Sequence, residues 1–252
     1  MIPIRDTLPR RNKPIATYLL ILINAIVFLF ELTMSPQGLE QFIYMFGLVP
    51  ARVMHPDWAS SAGYPGNAYW PFLTSMFLHG GWLHIIGNMW TLWIFGDNIE
   101  DQMGPARYVI FYLICGLIAG IVHCLTNANS TVPTVGASGA IAGVMGAYLF
   151  LFPTARIVVL VPIFFFPFFF EVPAVVYLGF WALSQVFAGT LTLASATQVG
   201  GVAWWAHVGG FTAGIVLQFF FVRRGPAYRP VPRDQHGVAA AWPPYRYGRQ
   251  TQ

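Results

Sequence analysis

The chain has 252 residues, of which 56% are hydrophobic and only 9% are charged, and its mean hydropathy is +0.60. A soluble domain carries roughly a quarter charged residues, so this composition excludes an ordinary water-soluble protein and indicates one whose surface mostly faces lipid. The formal net charge of +4 comes from basic residues spread between apolar runs, which argues against a nucleic-acid partner, since that needs basic residues on one folded face.

The chain begins with a basic segment, residues 1–13, which leads into an apolar run without a small-residue cleavage site after it. This pattern predicts an uncleaved first helix with the N-terminus in the cytoplasm. A spanning helix needs roughly 20 apolar residues. Six stretches qualify, at 14–34, 82–100, 106–126, 137–152, 172–193 and 203–222. We therefore predict an all-α polytopic membrane protein with a six-helix domain over residues 14–222.

Two further apolar segments are ambiguous. Residues 35–81 connect the first two predicted spans and are interrupted by Pro50, Pro56, Pro65 and Pro71, which favours an interfacial, partly embedded loop. Residues 157–170 are strongly apolar but number only 14 and contain Pro162 and Pro167. A run of that length is more often re-entrant or interfacial than spanning.

The distribution of basic residues supports six spans. With a cytoplasmic N-terminus, twelve of the thirteen Lys and Arg residues fall on the cytoplasmic side and only Arg52 falls outside. A seventh span at 157–170 would move six of them across the membrane. Both termini are therefore predicted to be cytoplasmic, and the tail, 223–252, is rich in Pro and Arg and is predicted to be disordered. The sequence contains no internal repeat of the kind common in transporters.

Polar residues inside lipid are costly, so each one needs an explanation. The second span opens with HGGWLHIIGN, which contains His84 and Asn88, the fourth opens with GASGA, which contains Ser138, and the sixth opens with WWAHVGG, which contains His207. In the six-span topology these three helices all run from the outside inward. The four side chains are therefore predicted to share one layer near the outer face.

These residue types suit acyl-transfer chemistry. A serine hydroxyl becomes an effective nucleophile when a base within about 2.6–3.2 Å accepts its proton, which makes Ser138 the candidate nucleophile and His207 the candidate base. The helix start at Ser138 offers free backbone N–H groups to an oxyanion, and His84 and Asn88 can add side-chain donors. Close helix approach at this site is predicted from small residues. They are Gly136, Gly139, Gly210 and Gly214.

Each residue also has a structural interpretation. A serine beside glycine at a helix start is usually an N-cap, and an intramembrane histidine or asparagine can bond a neighbouring helix. The sequence argues against two other kinds of intramembrane protease. A zinc protease needs the motif HExxH, which is absent, and an aspartyl protease needs two carboxylates within the spans, whereas every Asp and Glu lies at a span edge or in a loop. With no buried acid to orient His207, the site is predicted to be a Ser-His dyad without a metal ion.

At these residues the chain resembles the rhomboid family of intramembrane serine proteases. HGGWLHIIGN, GASG and AHVGGFTAG match the family's second-helix His and Asn, its GxSG and its AHxxGxxxG motifs. The resemblance extends from the first span to about residue 222. It implies that Ser138 is the nucleophile, that His207 is the base, and that the Ser138 N–H, His84 and Asn88 form the oxyanion hole.

The resemblance also implies cleavage of transmembrane segments of other proteins near small residues, no cofactor, and a water-filled cavity opening outward, in a bacterial inner membrane. Two departures stand out. Trp70 and Pro71 replace the family's Trp-Arg, and Ala142 replaces an aromatic that packs on the catalytic histidine in many members, which predicts a less firmly oriented His207. The alternatives are a catalytically silent rhomboid-like scaffold that binds transmembrane helices and a small transporter.

Overall fold

The computed structural model describes residues 1–65, 69–164, 166–194 and 202–223. The first long helix is α1, Ile15–Glu31, and the connection after it holds α2 (Pro36–Phe46), α3 (Pro50–Met54), α4 (Pro56–Ser61) and α5 (Pro71–Thr74). The remaining helices are α6 (Trp82–Met103), α7 (Pro105–Thr126), α8 (Ser138–Leu151), α9 (Ala174–Ala194) and α10 (Trp204–Phe221). Each predicted span overlaps one of α1 and α6–α10.

The long helices differ in length and hydropathy. Within the described residues, α7 and α9 are the two helices that are long and apolar enough to cross a membrane, and α1 and α8 are apolar but shorter. Helix α8 has 14 residues, so it rises about 21 Å, whereas the hydrocarbon core of a bilayer is about 30 Å thick. A helix of that length is too short to cross such a core from one face to the other.

The prediction of an all-α protein is confirmed only in part, because the mostly helical described residues also include a three-stranded antiparallel sheet. Its strands, in the order β1-β2-β3, are β1 (Ile2–Asp6), β2 (Arg156–Ile163) and β3 (Phe166–Pro173). The segment predicted to be re-entrant or interfacial thus forms a β-hairpin. Pro162 and Pro167, which pair across it, disfavour a helix, and the β-branched and aromatic residues around them favour strands.

Strand β1 is attached to the helices at both of its ends. The Asp6 carboxylate accepts hydrogen bonds from Asn98 Nδ2 at 2.7 Å and from the Tyr148 hydroxyl at 2.6 Å. The Trp90 indole Nε1 donates to the backbone oxygen of Pro3 at 2.6 Å. These bonds join β1 to α6 and α8, so the N-terminal segment packs with the helices rather than lying apart from them.

The attachment through Asp6 predicts that the stability of β1 against the helices depends on pH. Burial raises the pKa of Asp6 from 3.8 to about 7, while the hydrogen bond from Tyr148 acts in the opposite direction. A carboxyl group with a raised pKa contributes stability that is complete below about pH 4 and is lost as the pH rises through about 7. We expect the β1 amides to exchange hydrogen more slowly at about pH 5 than at about pH 8, after correction for intrinsic exchange rates.

The Asp6→Asn variant, which does not ionise, supplies the control for this experiment and should show no such difference. Equal protection of wild-type β1 at the two pH values would contradict the assignment of this pH dependence to Asp6.

Helices α8 and α10 touch through their glycines. A Cβ atom at Gly210 would collide with the backbone oxygen of Gly139, and one at Gly214 would collide with the backbone oxygen of Gly143. On its other side Gly139 faces α7, where a Cβ atom would lie 2.6 Å from that of Ala119. This backbone-to-backbone approach holds the N-terminal ends of α8 and α10 side by side.

A side chain at Gly214 should therefore force the two helices apart. We expect Gly214→Val to lower the free energy of unfolding by about 1–3 kcal/mol or more, because its branched side chain meets rigid backbone rather than a movable side chain. Gly179→Val is the matched control, since nothing lies within 4 Å of the Cβ position at Gly179 on α9. Thermal unfolding in detergent measures both variants, and wild-type stability of Gly214→Val would refute this packing.

The connection between α1 and α6 is held by a buried cation. Arg52 is only 6% exposed, donates from Nη1 to the backbone oxygen of Met45 at 2.9 Å, and lies over the rings of Tyr64 and Trp70 at 4.8 and 5.3 Å. Pro71 stands where the family resemblance leads us to expect an arginine, and Arg52 places a cation beside Trp70 from another part of the same loop.

Residues 1–222 group as one compact unit. The basic tail predicted at 223–252 lies outside the described residues except for Arg223, so its disorder stays a prediction. The division at residues 14 and 222, and the cytoplasmic position of residues 1–13, also remain predictions.

Candidate active site

Ser138 and His207 meet at the contact between α8 and α10. Ser138 is the first residue of α8 and is half-buried, and His207 lies in the first turn of α10 and is 8% exposed. The His207 Nε2 atom lies 2.8 Å from the Ser138 Oγ atom. This distance is within the range in which an imidazole can accept the proton of a hydroxyl nucleophile.

His84 presents a donor to the same site. Its Nδ1 atom accepts a hydrogen bond from the Gly80 backbone N–H at 3.3 Å, so in the neutral ring the proton resides on Nε2. The Nε2 atom lies against Gly136, where an added Cβ atom would be 2.7 Å away. Gly136 also has a φ of +128°, which favours glycine.

That Gly136 packs helices together stays a prediction. Gly136 lies in the loop before α8, and what its missing side chain leaves room for is the imidazole of His84.

Asn88 adds a second donor one turn along α6. It is 8% exposed, and its Nδ2 atom is buried without a hydrogen-bond partner among the described residues. An unpaired buried donor is costly, so one that lines a cavity indicates a place where an acceptor from outside the protein binds. The Nδ2 atom lies 3.6 Å from the Cβ position at Gly136, so Asn88 and His84 converge on the loop that leads to Ser138.

That loop is fixed by the first connection and by α7. Leu48 and Thr134 exchange two backbone hydrogen bonds of 2.9 and 2.8 Å, and the Gly136 N–H donates to the Ser75 backbone oxygen at 2.8 Å. The Thr134 hydroxyl also lies 2.8 Å from His123 Nε2. The backbone that enters α8 is thus constrained on two sides, which sets the direction of the N–H groups at the helix start.

All four predicted side chains line one cavity of about 640 Å³. Helices α6, α8, α9 and α10 contribute to its walls, together with the loop before α8 and Pro3 of β1. Its size is typical of sites that bind small molecules or short peptide segments. Within the described residues, no group of three or more His, Cys, Asp or Glu side chains could hold a metal ion.

Helix α9 contributes two residues that the sequence interpretation missed. The Trp181 ring packs on His207 with a centroid distance of 5.8 Å and a tilt of 36°. The Gln185 Oε1 atom lies 2.8 Å from His207 Nδ1. Helix α9 thus places an aromatic ring on His207, where α8 has Ala142. The looser orientation of His207 stays a prediction. A glutamine inside an apolar span is itself a signal that could have identified Gln185.

Comparisons with known proteins place the chain in one family. A family model described as the Rhomboid domain matches residues 66–224, more than half of the chain. The chain is 40% identical over 80 residues to RHOMBOID-like protein 5 of Arabidopsis thaliana, which is 32% of this chain and 26% of that protein. It is 29% identical over 143 residues to the rhomboid protease GluP of Bacillus subtilis, which is 56% of this chain and 25% of that protein.

A mitochondrial relative is also similar. The presenilin-associated rhomboid-like protein of Mus musculus is 34% identical over 97 residues, which is 37% of this chain and 26% of that protein. The matched stretches thus span about a quarter of the length of each of these three relatives. The similarity lies in a shared core domain rather than in whole proteins.

Proposed function

The chain belongs to the rhomboid family, and from this membership we propose that it is a serine endopeptidase that cleaves transmembrane segments of other membrane proteins. The family is embedded in membranes. We propose that α1 and α6–α10 are the six spans, with both termini cytoplasmic and the cavity opening outward. Because the relatives include bacterial, plant and mitochondrial proteins, the bacterial inner membrane stays a prediction.

The observation that supports this proposal best is the 2.8 Å contact between Ser138 Oγ and His207 Nε2, at the wall of a cavity that is also lined by the unpaired donor Asn88 Nδ2. In the proposed reaction, His207 Nε2 takes the hydroxyl proton while Oγ attacks the carbonyl carbon of the scissile peptide bond. The developing oxyanion accepts hydrogen bonds from the Ser138 N–H, His84 Nε2–H and Asn88 Nδ2.

His207 then gives its proton to the leaving amine, and the peptide bond breaks to leave an acyl ester on Ser138. Water hydrolyses this ester with the same histidine as base, which returns the free hydroxyl. No cofactor enters either step. The substrate segment must reach Ser138 in extended form, because a helix hides its carbonyl carbons behind backbone hydrogen bonds and side chains.

Cleavage in liposomes tests the proposal. The full chain is reconstituted with a reporter whose transmembrane segment carries small residues, and the products are located by mass spectrometry. We expect a single cut within or near that segment. The alternative, a silent scaffold, predicts that the reporter binds and is recovered intact. Binding without any product, from a preparation whose thermal unfolding shows that it is folded, would overturn the protease assignment.

A further inference from the structure

The base of the proposed dyad has a third partner on α9. Gln185 is 6% exposed, and its Oε1 atom lies 2.8 Å from His207 Nδ1, on the side of the ring opposite Ser138. The sequence interpretation predicted a dyad because no buried acid faces His207. A neutral amide oxygen can nevertheless accept the Nδ1 proton.

The surroundings of Gln185 establish which way its amide points. The Nε2 atom lies 3.3 Å from the Trp181 backbone oxygen and 3.0 Å from the Ser184 hydroxyl. A backbone carbonyl oxygen can only accept, so the NH₂ group must face it. The Oε1 atom is therefore the one that faces His207, and the His207 Nδ1 atom must carry the proton that it accepts.

This assignment decides the tautomer of the base. A neutral imidazole with its proton on Nδ1 has its lone pair on Nε2, and Nε2 is the atom that lies 2.8 Å from Ser138 Oγ. The opposite tautomer would place an N–H against the hydroxyl and could not accept its proton. When the imidazolium forms during the reaction, the same Oε1 atom continues to accept from Nδ1.

The geometry points to Gln185 as a positioning residue, which holds His207 in the tautomer and ring orientation that can deprotonate Ser138. Trp181 lies one turn earlier on the same face of α9 and packs on the imidazole ring. Helix α9 thus contacts the His207 ring at Nδ1 through Gln185 and on its face through Trp181, while α8 and α10 supply Ser138 and His207 themselves. This inference rests on the proposed protease function.

Three variants separate positioning from plain packing. Gln185→Met keeps the length of the side chain but loses the acceptor, so we expect kcat to fall about tenfold with KM unchanged. Gln185→Glu, with the carboxyl oxygen that faces the Trp181 carbonyl protonated, keeps an acceptor at the same reach and should keep kcat near the wild-type value. Gln218→Met is the control, since Gln218 is a buried amide on α10 that is 2% exposed and about 16 Å along the helix from His207.

Two results would overturn the inference from kinetics. One is a wild-type kcat in Gln185→Met. The other is a loss in Gln185→Glu or in Gln218→Met as large as the loss in Gln185→Met, because the acceptor would then not be the cause.

The ¹⁵N chemical shifts of His207 give a readout that does not depend on cleavage. We expect the wild-type protein to show the Nδ1–H tautomer and Gln185→Met to show a mixture of both tautomers. If the wild-type protein shows the Nδ1–H tautomer but cleaves nothing, the proposed function fails and the positioning by Gln185 stands. A wild-type Nε2–H tautomer overturns the positioning role whether or not the protein cleaves.

Discussion

Replacing Ser138 by alanine is expected to abolish cleavage of a transmembrane reporter, with kcat lower by about 10⁴-fold or more. In the proposed mechanism the variant removes the atom that would form the acyl ester, and neither His207 nor the proposed oxyanion donors could replace it. The rate of product formation in liposomes measures the effect. The loss of one oxygen atom at a half-buried position should leave the folded structure and its thermal unfolding unchanged.

Two further variants sharpen this first prediction. Ser60→Ala removes a hydroxyl whose hydrogen bond, among the described residues, is to the Pro56 backbone oxygen of its own helix, and this variant should cleave at the wild-type rate. His207→Ala should lose about as much activity as Ser138→Ala, and the double variant should lose no more, because the two residues act as a unit. Additive losses would show that the two side chains do not share one step.

Replacing Asn88 by alanine should lower kcat by about 10²–10³-fold and leave KM nearly unchanged. The reason is that the Asn88 Nδ2 donor would bond the oxyanion, which exists only while the carbonyl carbon is tetrahedral. In the resting protein this donor is buried and without a partner among the described residues, so removing it should not lower the thermal stability. Steady-state kinetics of a preparation tests the expected fall in kcat, and thermal unfolding of the same preparation tests the expected unchanged stability.

Asn24→Ala is the matched control for Asn88. Asn24 is a fully buried amide on α1 whose Nδ2 donates to the Leu20 backbone oxygen, outside the cavity. Its loss should leave kcat unaltered. A wild-type kcat in Asn88→Ala would remove Asn88 from the oxyanion hole, and a loss of folding in that variant would show that its amide has a structural partner.

The parts of the site that could be predicted are those set by helix direction and helix period. His84 and Asn88 are four residues apart and so share a face of α6, and Ser138 and His207 each lie at the start of a helix that runs the same way. Glycines at spacings of four then indicate which helices approach closely. These local rules sufficed to predict that the four side chains, which line one cavity in the structure, lie near one another.

The rest depended on contacts that no local pattern specifies. Residues 157–170 have the hydropathy of a membrane segment, but their secondary structure follows from pairing with β1, more than 150 residues earlier in the chain. Trp181 and Gln185 lie outside the three motifs, and their role depends on which face α9 turns toward α10. A rule that flags every polar residue in an apolar span would have marked both Gln185 and His207, but it would not have shown that the two pair.

The most direct test of the Ser138–His207 pair is covalent labelling in liposomes with a fluorophosphonate, which reacts with an activated serine hydroxyl. We predict a single adduct, on the peptide that contains Ser138, formed by the wild-type protein and not by a folded His207→Ala variant. A folded wild-type protein that stays unlabelled, or an adduct that forms as fast without His207, would contradict the assignment of Ser138 as a nucleophile activated by His207.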